Sequence, residues 1–279
     1  MRSTQAQTLL TMEGARDSVA PKRAADMTYR TIAITSGKGG VGKTQIAANL
    51  AVSLRQRGMR VLLLDADLGM ASLDLVMGVT PTLDLRAVIE RGVPVEDVLI
   101  NGPAGVQLLP ACPGRYEMAT LGTVGHQKLV DAVESIANRF DVVIVDTGAG
   151  IGSTSVTFAG WADDVLLVVT PDPSSLRDAY AMAKVLHQRS GLRRIDVVAS
   201  QVASDAEGRD VFERLRGVVR RFLPVELLHL GNVRRDDAVR SAVAHGTPVV
   251  LASPDGIASR SLRDIAARLV REKGLVTPC

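Results

Sequence analysis

The sequence predicts an α/β fold with a mostly parallel central sheet flanked by helices on both faces. Three observations predict it. Short apolar runs alternate with helical patterns along most of the chain. The runs are continuous rather than alternating, as strands covered on both sides require. The apolar material is aliphatic: 46% of residues are hydrophobic but only 3% are aromatic, the mixture that packs between a covered sheet and its helices. With 23% charged residues and a formal charge of +3 over 279 residues, global disorder is excluded and one substantial core is affordable.

Residues 1–28 are polar and mixed in charge and read as a flexible N-terminal extension. Its one candidate helix, TQAQTLLTM from Thr4 to Met12, is too short to be stable alone. The ordered domain is expected over 29–274, with 275–279 as a tail. Its first strand is TIAIT (31–35), and the helix after residue 43 places Ile46, Leu50 and Leu54 on one stripe. Further strands are RVLLLD (60–65), GVQLLP (105–110), DVVIVD (141–146), DDVLLVVT (163–170) and IDVVAS (195–200). A helical pattern covers 129–140 and a closing amphipathic helix covers 257–272. Parallel strands joined in this way need right-handed crossovers. The Pro/Gly breaks at 92–94, 102–105 and 171–173 are too short for interdomain linkers, so one domain is the economical reading.

Cys112 and Cys279 lie far apart and match no metal or redox spacing, which fits a reducing cytoplasm. No stretch reaches the length of a membrane span, and no signal core opens the chain. His126, His187, His229 and His245 have neither metal spacing nor a partner nucleophile, and read as structural or surface residues. The arginines 214, 216, 220 and 221 form either a solvated helix face or a surface for an anionic partner such as nucleic acid.

The strand TIAIT runs directly into Ser36, Gly37, Lys38, Gly39, Gly40, Val41, Gly42, Lys43 and Thr44, and then into a helix. This is the setting of a P-loop, and hence of a P-loop NTPase. Its glycines let backbone N–H groups wrap a phosphate, and the helix adds the positive end of its dipole. Lys43 is expected to reach the β and γ phosphates of ATP, and Thr44 to coordinate Mg²⁺. Two further strands end in carboxylates at the sheet edge where ligands of open α/β sheets bind. One carries Asp65 and Asp67, the other Asp146, followed by the glycine-rich GAGIG. Each aspartate is suited to Mg²⁺ or an attacking water; capping or turn roles are the alternatives.

The form KGGVGKT resembles the deviant Walker motif of the MinD/ParA ATPases, over about residues 30 to 270. The resemblance implies that Lys38 crosses to the nucleotide of a second copy, giving an ATP-sandwiched homodimer. It further implies that Asp67 orients water, that Asp65 supports the metal site, and that Asp146 is the Walker B carboxylate. Segments 65–79, 146–158 and especially PDPSSLRDAYAMAKVL (171–186) are similar to the flagellar-regulator branch called FlhG or FleN. That branch implies an ATP-driven switch of flagellar number or placement. Its partners are an FlhF-type GTPase, a flagellar transcription activator or a basal-body protein, with recruitment to the cell pole or inner membrane surface. Gln5, Ala6 and Leu9 match part of the branch's GTPase-stimulating segment. Two departures concern the base: Ser200, followed by Gln201, stands where the family has an adenine-contacting Asn, and Arg234 where Ile-Pro is usual. Ser200 and Arg234 are therefore the candidates for the base site. The closing helix reads as a core element, which weighs against direct membrane contact. A DNA- or cargo-positioning ATPase and a slow-turnover antiactivator scaffold are the competing readings.

Overall fold

The computed structural model describes residues 28–111 and 122–275. The first half comprises β1 (Arg30–Ser36), α1 (Lys43–Arg55), β2 (Val61–Ala66), α2 (Leu73–Met77), α3 (Leu85–Arg91), α4 (Val95–Val98), β3 (Ile100–Asn101) and β4 (Gln107–Leu109). Then follow α5 (Thr123–Ala137), β5 (Val142–Ala149), α6 (Ser153–Trp161), β6 (Asp164–Val169), α7 (Pro173–Ser190) and β7 (Arg194–Val202). The chain closes with α8 (Asp205–Phe222), β8 (Glu226–Arg234), α9 (Asp237–Ala244), α10 (Val249–Ala252) and α11 (Ile257–Glu272).

The strands form one sheet in the order β3-β4-β2-β5-β1-β6-β7-β8, antiparallel only between β3 and β4. From β1 the chain runs outward to β2 on one side. After β5 fills the gap, it runs outward through β6, β7 and β8 on the other. The loop after β1 therefore sits where the strand order reverses, the place at which such sheets open a crevice. Strand pleating splits the apolar runs between two faces. Ala33, Leu64, Val145 and Leu167 join one core layer with Leu129, Phe158, Met182 and Leu215 of α5 to α8. Ile34, Leu63, Ile144 and Leu166 join the other, with Leu50 and Leu54 of α1 and Leu262 and Ile265 of α11.

All six anticipated runs are strands, but β3 and β8 had no counterpart in the sequence reading. β3 is two residues long. β8 reads ELLHLGNVR, its apolar run broken by His229, Gly231 and Asn232. It is the outer strand, paired with β7 alone, so one long edge does not require the covered pattern of an inner strand. Its register with β7 also slips between His229 and Gly231.

The apolar face of α11 is consumed in the core, with Leu262, Ile265, Ala266 and Leu269 all buried. Among the described residues no helix is long and apolar enough to cross a membrane. Just past α11, buried Lys273 places its ammonium 2.9 Å from Asp164 and 2.5 Å from Asp196, while Arg30 also pairs with Asp164. This network ties the end of the last helix to β1, β6 and β7.

Candidate nucleotide site

The loop between β1 and α1 takes its shape from glycines that no other residue would replace without strain. Gly40 and Gly42 have φ of 74° and 98°, in the left-handed region. Gly37 lies against α7: a Cβ there would stand 2.0 Å from the backbone oxygen of Asp178. Gly42 also begins α1, where no side chain caps the helix. By contrast, α7, α8 and α9 are capped by Asp172, Ser204 and Asp236. The first-turn amides of α1 are thus left for an anion, with the helix dipole behind them. Val41 and Lys43 are buried, at 2% and 7% exposure, which fixes the loop and the lysine stem, while Gly39 is exposed.

Strand register brings the carboxylates together. Asp146 stands opposite Ile34 of β1 on one side and Asp65 of β2 on the other. Burial pushes the Asp146 carboxyl up to about 7, opposed by a hydrogen bond from the Thr44 hydroxyl and the charge of Lys43. Its Oδ1 is buried without a hydrogen-bond partner. A buried unpaired carboxylate oxygen is costly. Beside the Thr44 hydroxyl, it forms a donor pair that fits Mg²⁺, a hard cation favouring oxygen ligands. Asp65 is arranged differently: burial holds its pKa well above the ordinary value, with Asp146 adding to the shift. Its oxygens accept from the backbone N–H of Asp67 at 3.1 Å, Ser72 at 3.3 Å and Leu73 at 3.2 Å, anchoring the loop after β2. Asp67, on that loop, accepts from Met70 N–H at 3.2 Å and faces Gly148, where a Cβ would stand 3.3 Å from its Oδ1.

Lys38 does not point freely into solvent. Its ammonium pairs with Asp172 and lies 2.6 Å from Ser174 Oγ. The lysine holds the Asp172 carboxyl down at about 2, helped by the backbone N–H and hydroxyl of Ser174. The segment 171–186 thus packs on the loop twice, through Asp172 and Ser174 at Lys38 and through Asp178 at Gly37.

Beside Gly42 lies a recess of about 290 Å³, lined by Gln45, Ser200, Gln201, Arg234, Arg235 and Asp236 among others. Ser200 and Arg234, both anticipated, meet here. Ser200 Oγ stands 3.3 Å from where a Cβ on Gly42 would lie, and Arg234 donates to the Ala203 carbonyl at 3.3 Å. Gln201 was not singled out as a site residue. Its φ is 57° and its amide donates to the Gly40 carbonyl at 2.8 Å, bracing the phosphate loop. Arg235 and Asp236 were also missed. Their only sequence signal was their position just beyond an outer strand.

Gln5, Ala6 and Leu9 lie outside the described residues, as do Cys112 and Cys279. Among the described residues no three His, Cys, Asp or Glu side chains are grouped as a metal site. The four histidines make local contacts, to Thr154, Leu192, Asn232 and Ser241. Of the arginine cluster on α8, Arg214 and Arg216 pair with Asp210 and Glu213 on the same helix, as a solvated face does.

A glycine cradle at an uncapped helix start, with buried Lys43 and Asp146 and half-buried Thr44 around it, is the phosphate site of a P-loop NTPase. The chain matches the family model ParA, described as NUBPL iron-transfer P-loop NTPase, over residues 28–270. It belongs to the ParA family. This ParA-family chain is 43% identical over 240 residues to the antiactivator FleN of Pseudomonas aeruginosa, with 86% of each chain covered. It is 35% identical over 241 residues to the flagellum site-determining protein YlxH of Helicobacter pylori, covering 86% of this chain and 81% of that one. The ParA fold also aligns with the septum site-determining protein MinD of Pyrococcus horikoshii, complexed with Mg-ADP. The TM-score is 0.74 at 25% identity, covering 88% of this chain and 98% of that one.

Proposed function

We propose that this chain is an ATP-hydrolysing switch that dimerises around ATP and regulates flagellar number or placement through partner proteins. The observation that carries the chemistry is the grouping of buried Lys43, the half-buried Thr44 hydroxyl and the unpaired oxygen of buried Asp146 at the start of α1. Backbone N–H groups of residues 39–44 cradle the phosphates, and Lys43 neutralises charge on the β and γ positions. Thr44 and Asp146 hold Mg²⁺, which supplies further charge neutralisation when bound. Asp65 supports them by anchoring the loop that carries Asp67. Asp67 orients a water whose oxygen bonds to the γ-phosphorus as the bond to the bridging oxygen breaks, releasing ADP and phosphate. Ser200, Gln201, Arg234 and Arg235 frame the base in the adjoining recess.

Lys38 rests on Asp172 and Ser174 in the single chain. Reaching the nucleotide of a second copy requires it to leave them, so a γ-phosphate across the interface competes with an internal carboxylate. Such competition makes dimer formation conditional on ATP, and a partner binding only the closed dimer reads it as a signal. Likeness to an antiactivator and to a flagellum site-determining protein supports flagellar regulation, and the former favours a transcription activator as partner.

Light scattering beside phosphate release, with ATP·Mg²⁺ and then ADP, tests this reading on the wild type and Lys38→Ala. ATP-specific dimers that vanish with Lys38 are expected. Monomers in every condition, with turnover indifferent to Lys38, would remove the sandwich switch.

A further inference from the structure

The outer strand β8 floors a second recess, of about 480 Å³, with α8 on one side and α11 on the other. Four guanidiniums line it: Arg209 from α8, Arg234 from β8, and Arg260 and Arg268 from α11. Two carboxylates, Asp205 and Asp264, oppose them, so two positive charges are left over. Asp205 is already engaged, accepting from Asn232 at 3.2 Å, and Asn232 is in turn held by His229 at 2.8 Å.

Among the described residues none of the four guanidiniums forms an ion pair, although Arg260 and Arg268 each stand four residues from Asp264. Arg234, Arg260 and Arg268 donate instead to the carbonyls of Ala203, Asp255 and Leu230, neutral acceptors that cancel no charge, although Arg260 also feels the Asp236 carboxylate. Elsewhere on the surface Arg214, Arg216 and Arg240 each pair with an acid of their own helix. The Nε of Arg234 is buried and lacks a partner, an expensive state for a charged donor. Both flanking helices also begin at the recess, with Asp205 and Ile257 in its lining. Their dipoles add to the positive field.

We propose that this recess binds a phosphate-bearing small molecule, at a site distinct from the phosphate loop. Guanidinium forks match phosphate geometry, and several converging from different elements select a compact anion over a single surface charge. Addition of an extended peptide strand is disfavoured. The ladder of β8 is broken at Leu230, and Arg268 already occupies the Leu230 carbonyl at 3.0 Å. Arg234 lines both this recess and the one beside Gly42. An anion held by Arg234 on the outer side changes the field at the nucleotide, and by linkage the nucleotide changes anion affinity by the same factor.

The test saturates the full chain with ADP in excess Mg²⁺, so that the phosphate loop is filled, and titrates it with inorganic pyrophosphate by calorimetry. One further site is expected. Its affinity should fall at least tenfold in Arg209→Ala/Arg260→Ala, with ADP binding and thermal unfolding unchanged. Arg209→Gln/Arg260→Gln gives the same reading if the alanine pair folds poorly. Absence of binding beyond the ADP-saturated baseline overturns the proposal, as does binding indifferent to both pairs. Duplex DNA binding through these arginines, with none of pyrophosphate, would also overturn it and mark a nucleic-acid surface instead.

Discussion

Replacing Asp146 with asparagine keeps the side-chain shape and the contact with Thr44 but removes an ionisable group that the fold holds at a cost. Burial raises this carboxyl from 3.8 to about 7, a shift of roughly three units. At about 1.4 kcal/mol per unit, that amounts to about 4 kcal/mol. The sign follows from the folded value lying above the unfolded one. The favourable contribution is complete below the unfolded value and is lost as pH rises through about 7. Without nucleotide, Asp146→Asn should therefore match the wild type near the unfolded pKa and exceed it by up to about 4 kcal/mol above the folded one. Urea unfolding of both proteins across that range measures the gap. Asp196, also raised by burial, is present in both proteins and cancels, whereas Asp65 loses the Asp146 charge that helps to raise it, which widens the gap in the same direction. The variant should also lose Mg²⁺-dependent turnover by at least about a hundredfold. Stability curves that run parallel at every pH, or a variant that hydrolyses ATP normally, would refute the reasoning.

Three further outcomes are expected. Lys273→Met strands Asp196 in the core and leaves Asp164 to Arg30 alone, and should cost about 3–5 kcal/mol in urea unfolding, with partial recovery at acid pH as the Asp196 carboxyl, already raised by burial, protonates. Gly37→Ala forces a Cβ onto the Asp178 backbone and should separate α7 from the phosphate loop. Its readout is weakened ADP·Mg²⁺ binding by calorimetry together with a lowered Tm. Asp172→Ala releases Lys38 at the cost of a helix cap worth about 1 kcal/mol. Light scattering should then find dimers at lower ATP concentration than in the wild type, despite a slightly less stable fold.

The sequence by itself determined the parts whose signals are local. A continuous aliphatic run needs no distant partner to announce a covered strand, and GKGGVGKT between a strand and a helix announces a phosphate cradle within one βα unit. Asp146 was legible because it ends such a run. β8 was not, because an outer strand is released from the covered pattern and its polar residues disguise it. Tertiary structure alone decided what depends on register and charge pairing across long separations. Asp65 sits beside Asp146 only because β2 pairs with β5, and the Asp146 charge adds to the rise that burial gives the Asp65 carboxyl. Lys38 rests on Asp172, 134 residues away, and Gln201 braces Gly40 across 161. The arginines of the outer recess gather from three elements that no spacing relates. Whether a charge is paired or left over is a property of where side chains end, and only the assembled fold brings those ends together.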